Sequence, residues 1–213
     1  MSPLYAIVDV DICTRAGMAP TAVARAYLAG GARLLQVRAK LLPSGAFLHL
    51  VEEIAVAARA AGAELIVNDR ADVARVAGLG VHLGQDDLPA AEARALLGHE
   101  AVVGLSTHTP AQLARALRLP VSYVAYGPVF ATATKAAPDP VVGLAGVADA
   151  AAALARAGVP LVAIGGITVA TAAAVRRAGA ASVAVISDLL AGPEAPEDRV
   201  RRFLSVLNDA HPV

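Results

Sequence analysis

Short runs of continuously apolar residues recur along the chain. Each ends in a polar or glycine-rich turn, and each is followed by a longer segment rich in Ala, Leu and Arg. The runs cover residues 4–8, 34–38, 65–68, 81–83, 102–106, 123–127, 160–164 and 182–186. Most are rich in Val and Ile without polar alternation, as expected of strands buried on both faces of a parallel sheet. The segments between them carry small and apolar residues on one face and Arg or Glu on the other, the pattern of an amphipathic helix. Clear examples are 21–29, 44–61, 90–97, 110–117, 147–157 and 171–178, with a final helix over 197–208. Glycines punctuate the joints: Gly30-Gly31, Gly62, Gly98, Gly158 and Gly179 each stand just past a helical pattern and just before a strand. Ser44, Thr109 and Thr168 read as helix N-caps.

Eight strands alternating with helices in 213 residues predict an α/β fold. The expected architecture is a (β/α)8 TIM barrel, one compact domain spanning residues 1–213. An open doubly wound sheet would need a glycine-rich nucleotide turn after its first strand. Here that strand runs into Asp9-Val10-Asp11.

Composition narrows the function. Lys plus Arg and Asp plus Glu both number 18, so the chain lacks the basic excess that nucleic-acid binding requires. The same balance argues against an electrostatic membrane-surface role. Residues 157–175 form an uncharged stretch long enough to suggest a membrane span. Pro160, Gly165-Gly166, Thr168 and Thr171 break it into strand, turn and helix start instead. The N-terminal apolar run is interrupted by Asp9 and Asp11 and has no basic leader, so no secretory signal is expected. A single cysteine, Cys13, excludes an internal disulfide and a cysteine metal cluster, and a cytoplasmic protein is expected.

In a barrel the C-terminal strand ends converge on one mouth. Those ends carry Gln36, Arg38 and Lys40; Asn68 and Asp69; Asp86 and Asp87; Ser106 and His108; Thr132, Thr134 and Lys135; Gly165-Gly166; and Ile186-Ser187. The turns after the last two strands meet helix N-termini, where backbone N–H groups and the helix dipole favour phosphate. Asp69 with Asp86 or Asp87 offers hard oxygen ligands of the kind Mg2+ takes alongside substrate phosphates. Taken singly, Asp69 and Asp86 read equally well as caps of the helices that follow them. Three cations, a Mg2+ pair and a second phosphate cradle together imply a diphosphate substrate and a monophosphate co-substrate. His82 reads more readily as a packed, hydrogen-bonded histidine than as a catalyst, and His108 is the better mouth candidate.

The strand-end segments carry a wider pattern. "QVRAK" (36–40), "VNDR" (67–70), "GVHLGQDDL" (80–88), "VGLSTHT" (103–109), "YGPVFATATK" (126–135), "VAIGGIT" (162–168) and "VAVISDL" (183–189) follow one another in order. On these segments the chain resembles the thiamine-phosphate synthase family. The resemblance implies a transferase that joins hydroxymethylpyrimidine diphosphate to a thiazole phosphate, releasing pyrophosphate. It implies Gln36, Arg38, Lys40, Asn68, Ser106 and Lys135 at the pyrimidine diphosphate. Of these, Arg38, Lys40, Ser106 and Lys135 would be catalytic. It implies Asp69 and Asp87 as Mg2+ ligands, and Thr132, Thr134, Gly166, Ile186 and Ser187 at the thiazole phosphate. The implied partners are these small molecules, and a homodimer is an assembly open to the chain. Two departures stand out: Ala131 replaces the usual proline, and the lid segment 136–142 lacks a Lys-Asp pair that many members carry.

Two alternatives belong to other classes. A thiazole tautomerase on the same barrel would use a strand-five histidine, for which His108 fits. As the resemblance goes, such isomerases lose the diphosphate and Mg2+ residues that this chain keeps. A non-catalytic phosphate sensor would have no reason to retain both carboxylates. An electron-rich aminopyrimidine stabilises a cation at its exocyclic methylene, so leaving-group stabilisation is the main demand on the protein. With Lys135 in that role, Lys135→Ala is expected to lower turnover by more than about threefold, roughly 0.7 kcal/mol, in steady-state assays of product formation.

Overall fold

A computed structural model describes residues 1–132 and 139–210. Eight parallel strands form a closed barrel, each paired with its sequence neighbour and the last with the first. They are β1 (Leu4–Asp9), β2 (Leu34–Arg38), β3 (Glu64–Asn68), β4 (Gly80–Leu83), β5 (Val103–Thr107), β6 (Tyr123–Tyr126), β7 (Leu161–Ile164) and β8 (Ser182–Val185). Around them lie α1 (Val10–Arg15), α2 (Pro20–Ala29), α3 (Ser44–Ala60), α4 (Ala71–Ala77), α5 (Ala90–Leu97), α6 (Pro110–Ala116), α7 (Gly143–Ala155), α8 (Val169–Arg177) and α9 (Pro196–Asn208). The (β/α)8 barrel expected from the apolar runs is therefore the fold. The uncharged stretch at 157–175 is β7, a turn and the start of α8, and no helix among the described residues is long and apolar enough to cross a membrane.

Alternation along each strand sorts side chains into two layers. One parity points outward against the helices: Leu4, Ala6 and Val8 on β1, Leu35 and Val37 on β2, Val81 and Leu83 on β4. The helices answer with matching stripes. On α3, Phe47, Val51, Ile54, Ala55 and Ala58 are buried, a spacing that keeps one face on the barrel. Val200, Phe203 and Leu207 of α9 bury similarly, so this last helix closes the ring beside α2 and α8. The other parity fills the barrel: Tyr5, Ile7, Leu34, Ile66, Tyr123, Ala125, Val162 and Ala184 form a separate inner cluster.

One of the three expected helix caps changes. Thr109 caps α6 as expected, its hydroxyl accepting the Gln112 N–H at 3.2 Å. Ser44 does not cap α3; it is the first helical residue, and Pro43 holds the cap position in extended backbone. The proline's fixed φ sets up the helix entry, and the Ser44 hydroxyl instead accepts from Arg70. Helices α1 and α4 are short additions that the hydrophobic pattern did not single out. Their buried residues, Cys13 on α1 and Ala71, Val73 and Ala74 on α4, are too few to raise a clear period.

Inside the barrel, space is allotted by pairing large with small. The rings of Tyr5 and Tyr123 meet edge to face at 5.9 Å between centroids. Tyr123 lies directly over Gly104 of β5, where a Cβ would collide with its ring. Gly104→Ala is thus expected to destabilise the fold by about 1–3 kcal/mol through overpacking. Urea unfolding should show a lower midpoint with an unchanged slope.

Candidate active site

The strand ends open into one cavity of about 770 Å³ at the C-terminal face of the barrel. Its floor consists of inward-parity residues, which is why the useful side chains on β2 recur at every second position: Gln36, Arg38 and, just past the strand, Lys40. The structure brings together there most residues expected from the sequence. Gln36, Arg38, Lys40, Asn68, Asp69, Asp86, Asp87, Ser106, Thr132, Gly166, Ile186 and Ser187 all line the cavity. Thr134, Lys135 and residues 136–138 of the lid segment lie outside the described residues.

Asp69 follows β3 in a left-handed conformation, φ 63°, which a short polar side chain tolerates better than most. Its N–H donates to the His82 carbonyl at 2.8 Å, fixing the turn to β4. Neither Asp69 nor Asp86 is a helix cap: Arg70 occupies that position for α4 and Pro89 for α5. Instead the Asp69 carboxyl faces Asp87, with which it shares a hydrogen bond, and Lys40 Nζ at 3.6 Å. Asp87 is held by its own loop, its Oδ2 accepting the Gly84 N–H at 2.7 Å. Burial, reinforced by the hydrogen bond and charge of Asp87, pushes the Asp69 carboxyl up to about 6, against the opposing pull of Lys40 and Arg38. Spacing left Asp86 and Asp87 level as partners of Asp69; the geometry pairs Asp69 with Asp87.

Arg38 lines the same cavity and pulls the Asp69 carboxyl down, but its own bound partner is a third carboxylate. Its guanidinium is bound to Asp9, its lateral partner in the β1–β2 ladder. Asp9 is almost fully buried, and its second oxygen caps α1 by accepting the Ile12 N–H at 3.0 Å. A buried carboxylate needs such a partner, and the pair in turn fixes the direction of Arg38. In the sequence Asp9-Val10-Asp11 stands out for lacking a glycine motif and for breaking the apolar run, and neither feature marks Asp9 as a support of the site.

The anion cradle is also narrower than helix dipoles alone suggest. The first N–H of α8, on Val169, already donates to Asp188 Oδ2 at 3.1 Å, and the Thr168 N–H to the Thr171 hydroxyl at 3.0 Å. Arg199 holds Asp188 in place at 2.8 Å. The Gly165-Gly166 turn and the start of the 3-10 turn Ser187–Leu190 line the cavity beside them. Gly166, at φ 65°, lies so close to the loop after β6 that a Cβ would sit 2.5 Å from the Ala131 carbonyl. Only glycine permits both the conformation and the approach.

The floor holds a run of buried polar contacts. Gln36 Nε2 donates to the Tyr5 hydroxyl at 2.8 Å, and the Tyr5 and Tyr123 hydroxyls are 3.0 Å apart. The Tyr123 hydroxyl lies 2.8 Å from His82 Nδ1, and His82 Nε2 lies 2.8 Å from Ser106 Oγ. The packed, hydrogen-bonded role expected of His82 holds. Burial pushes its imidazole down to about 4. His108 lines the cavity, with Nδ1 2.7 Å from the Gly127 carbonyl and 3.6 Å from Asp139. Tyr5 and Tyr123 were missed because tyrosine in an apolar run reads as plain core.

The chain is similar to known proteins over most of its length. A family model described as thiamine monophosphate synthase matches residues 4–189. The thiamine-phosphate synthase of Anaeromyxobacter dehalogenans is 49% identical over 188 residues, 87% of this chain and 83% of that protein. That of Koribacter versatilis is 45% identical over 214 residues, covering 96% and 95%. Among solved structures, a thiamine phosphate pyrophosphorylase from Pyrococcus furiosus superposes with a TM-score of 0.86 at 27% identity, covering 97% of this chain and 96% of that one.

The depressed His82 sets a pH signature. The unfolded chain takes up a proton here near pH 6.5, but the folded one only near 4. This group therefore contributes stability above pH 6.5, on the order of 3 kcal/mol, and the contribution is lost as pH falls from 6.5 towards 4. At pH 5.5 the His82 ring is expected to be still neutral by NMR, whereas an exposed histidine would be mostly charged.

Proposed function

Because the chain belongs to the thiamine monophosphate synthase family and is a transferase that makes thiamine phosphate, we propose how its mouth performs that reaction. The substrates in this reading are hydroxymethylpyrimidine diphosphate and a thiazole phosphate. The whole chain acts as one catalytic unit, with its site at the C-terminal face of the barrel. The single observation that carries the reading is the Asp69–Asp87 pair: two carboxyls held against each other in a cavity that also presents Arg38 and Lys40.

Like-charged oxygens so close, and partly buried, are poorly stabilised by themselves. A hard divalent cation resolves that conflict, and two carboxylates with room for phosphate oxygens and water suit Mg2+. Asp69 and Asp87 would hold it, with Asp86 lining the same loop. When bound, the ion neutralises charge on the diphosphate and so improves it as a leaving group.

The remaining work falls to side chains. Arg38, oriented by Asp9, and Lys40, beside Asp69, supply positive charge where the diphosphate collects negative charge. Lys135 joins them by the family match. Gln36, Asn68 and Ser106 line the floor where the pyrimidine would lie. Gly166, Ile186, Ser187 and Thr132, with Thr134 by the family match, hold the thiazole phosphate on the opposite wall. The bond between the exocyclic methylene carbon and the diphosphate oxygen breaks, its electron pair leaving with pyrophosphate. The thiazole nitrogen lone pair then forms the new carbon–nitrogen bond. No proton moves, in keeping with a cavity floor whose histidine is neutral and engaged on both nitrogens. The lone buried thiol, Cys13, suits a reducing compartment such as the cytoplasm.

Incubation with both substrates and Mg2+ is expected to yield thiamine phosphate and pyrophosphate, with the yield collapsing in EDTA. No product with Mg2+ present would overturn the reading. Asp69→Asn and Asp87→Asn should each lower activity at least tenfold and raise the Mg2+ concentration needed for half-maximal rate. Protonation of the shared pair competes with the metal, so Mg2+ affinity is expected to fall as pH drops through about 6.

A further inference from the structure

The floor contacts form one unbroken line: Gln36, Tyr5, Tyr123, His82, Ser106. It runs through four hydrogen bonds and crosses the barrel from β2 to β5 by way of β1, β6 and β4. Its two ends line the cavity, while Tyr5 and Tyr123 lie wholly beneath it. His82 meets the cavity only with a small edge of its ring. The chemistry of these three nevertheless constrains both ends.

Each inner hydroxyl has one proton and sits between two polar neighbours. A neutral imidazole has one N–H and one bare nitrogen. Both ring neighbours of His82 are hydroxyls, and among the described residues no carboxylate bonds to its ring. A charged ring would donate from both nitrogens and leave the Tyr5 proton without an acceptor in the line. The protons in such a line must therefore all point the same way. Gln36 sets the direction, because its amide nitrogen can only donate. With Nε2 on the Tyr5 oxygen, Tyr5 donates to Tyr123, and Tyr123 donates to His82 Nδ1. His82 then carries its proton on Nε2 and donates to Ser106 Oγ. The Ser106 proton is left to point into the cavity, and so is the Gln36 carbonyl oxygen.

We propose that Tyr5, Tyr123 and His82 are positioning residues whose proton order locks Gln36 as an acceptor and Ser106 as a donor, so that together they select a ring edge. The edge they read carries an amino N–H on the Gln36 side and an unprotonated ring nitrogen on the Ser106 side, as an aminopyrimidine does. A hydroxypyrimidine, with its donors and acceptors exchanged, meets two mismatched contacts. Reversing one end requires reversing every proton in the line and turning the Gln36 amide over, so the two readers act as a unit. This assignment of specificity rests on the pyrimidine reading of the site; the proton order itself does not.

The test measures the two separately. In the intact 15N-labelled enzyme at pH 7, the ring nitrogens of His82 are expected to show a protonated Nε2 and a bare Nδ1. A protonated Nδ1, or a charged ring, would overturn the proposal, and this holds whether or not the enzyme turns over. In Tyr123→Phe the line is cut. The Nε2–H form of His82 should lose its dominance, and the KM for the pyrimidine diphosphate should rise about three- to tenfold. The KM for the thiazole phosphate should stay within twofold. An unchanged His82 tautomer together with an unchanged pyrimidine KM would overturn the coupling. Tyr5→Phe cuts the same line one bond further away and serves as the second variant, expected to have the same selective effect. Failure to form thiamine phosphate at all would remove the substrate reading while leaving the tautomer measurement to decide the proton order.

Discussion

Closure of eight parallel strands into a barrel puts half of every strand's side chains into a shared interior, and the rest of the molecule follows from how that interior is filled. A closed sheet has no edge, so its backbone groups are paired within the ladder. The inner positions then face a fixed, narrow space. Apolar residues occupy the lower part, and polar ones occupy the same parity nearer the mouth. On β1 the inward side chains run Tyr5, Ile7, and on β2 Leu34, Gln36, Arg38. Core and site are therefore continuous columns of one alternating pattern.

Polar groups in that interior carry the cost of leaving water, which only a partner offsets. The floor meets this demand laterally, from strand to strand. Gln36 leans on Tyr5, Tyr5 on Tyr123, Tyr123 on His82, and His82 on Ser106. Gly104 contributes by having no side chain, because Tyr123 needs the space above it. Arg38 and Asp9 solve the same problem with opposite charges on neighbouring strands. These supports join strands that are distant in sequence, so the readers of the cavity are held by the barrel as a whole.

At the rim the balance is electrostatic. Asp69 and Asp87 would repel if both were charged, and burial raises the cost further, so Asp69 keeps its proton to higher pH than a lone carboxyl would. Lys40 and Arg38 pull the other way without cancelling the effect. A net charge near zero over the whole chain thus conceals a concentrated, unresolved arrangement at the mouth. Such an arrangement is a weak source of stability and a good binding site for a metal with a polyanion.

Much of this was legible along the chain. Continuous Val- and Ile-rich runs between amphipathic segments define buried parallel strands and their crossover helices, and eight such units predict the barrel. The strand-end rule then named Gln36, Arg38, Lys40, Asn68, Asp69, Ser106, Gly166 and Ser187 as neighbours, and all of them line the cavity. Periodicity and strand ends are local properties, so a linear reading reaches them. Pairing between distant strands is not local. That Arg38 is turned to Asp9, that Asp87 and not Asp86 meets Asp69, that Asp188 occupies the start of α8, and that two core tyrosines connect the readers of the cavity were decided only when closure brought the strands and the loops at their ends together. The strand contacts depend on which side chains share the inward parity at one height in the barrel, the loop contacts on how the strand ends are set side by side, and neither is a local property of the chain.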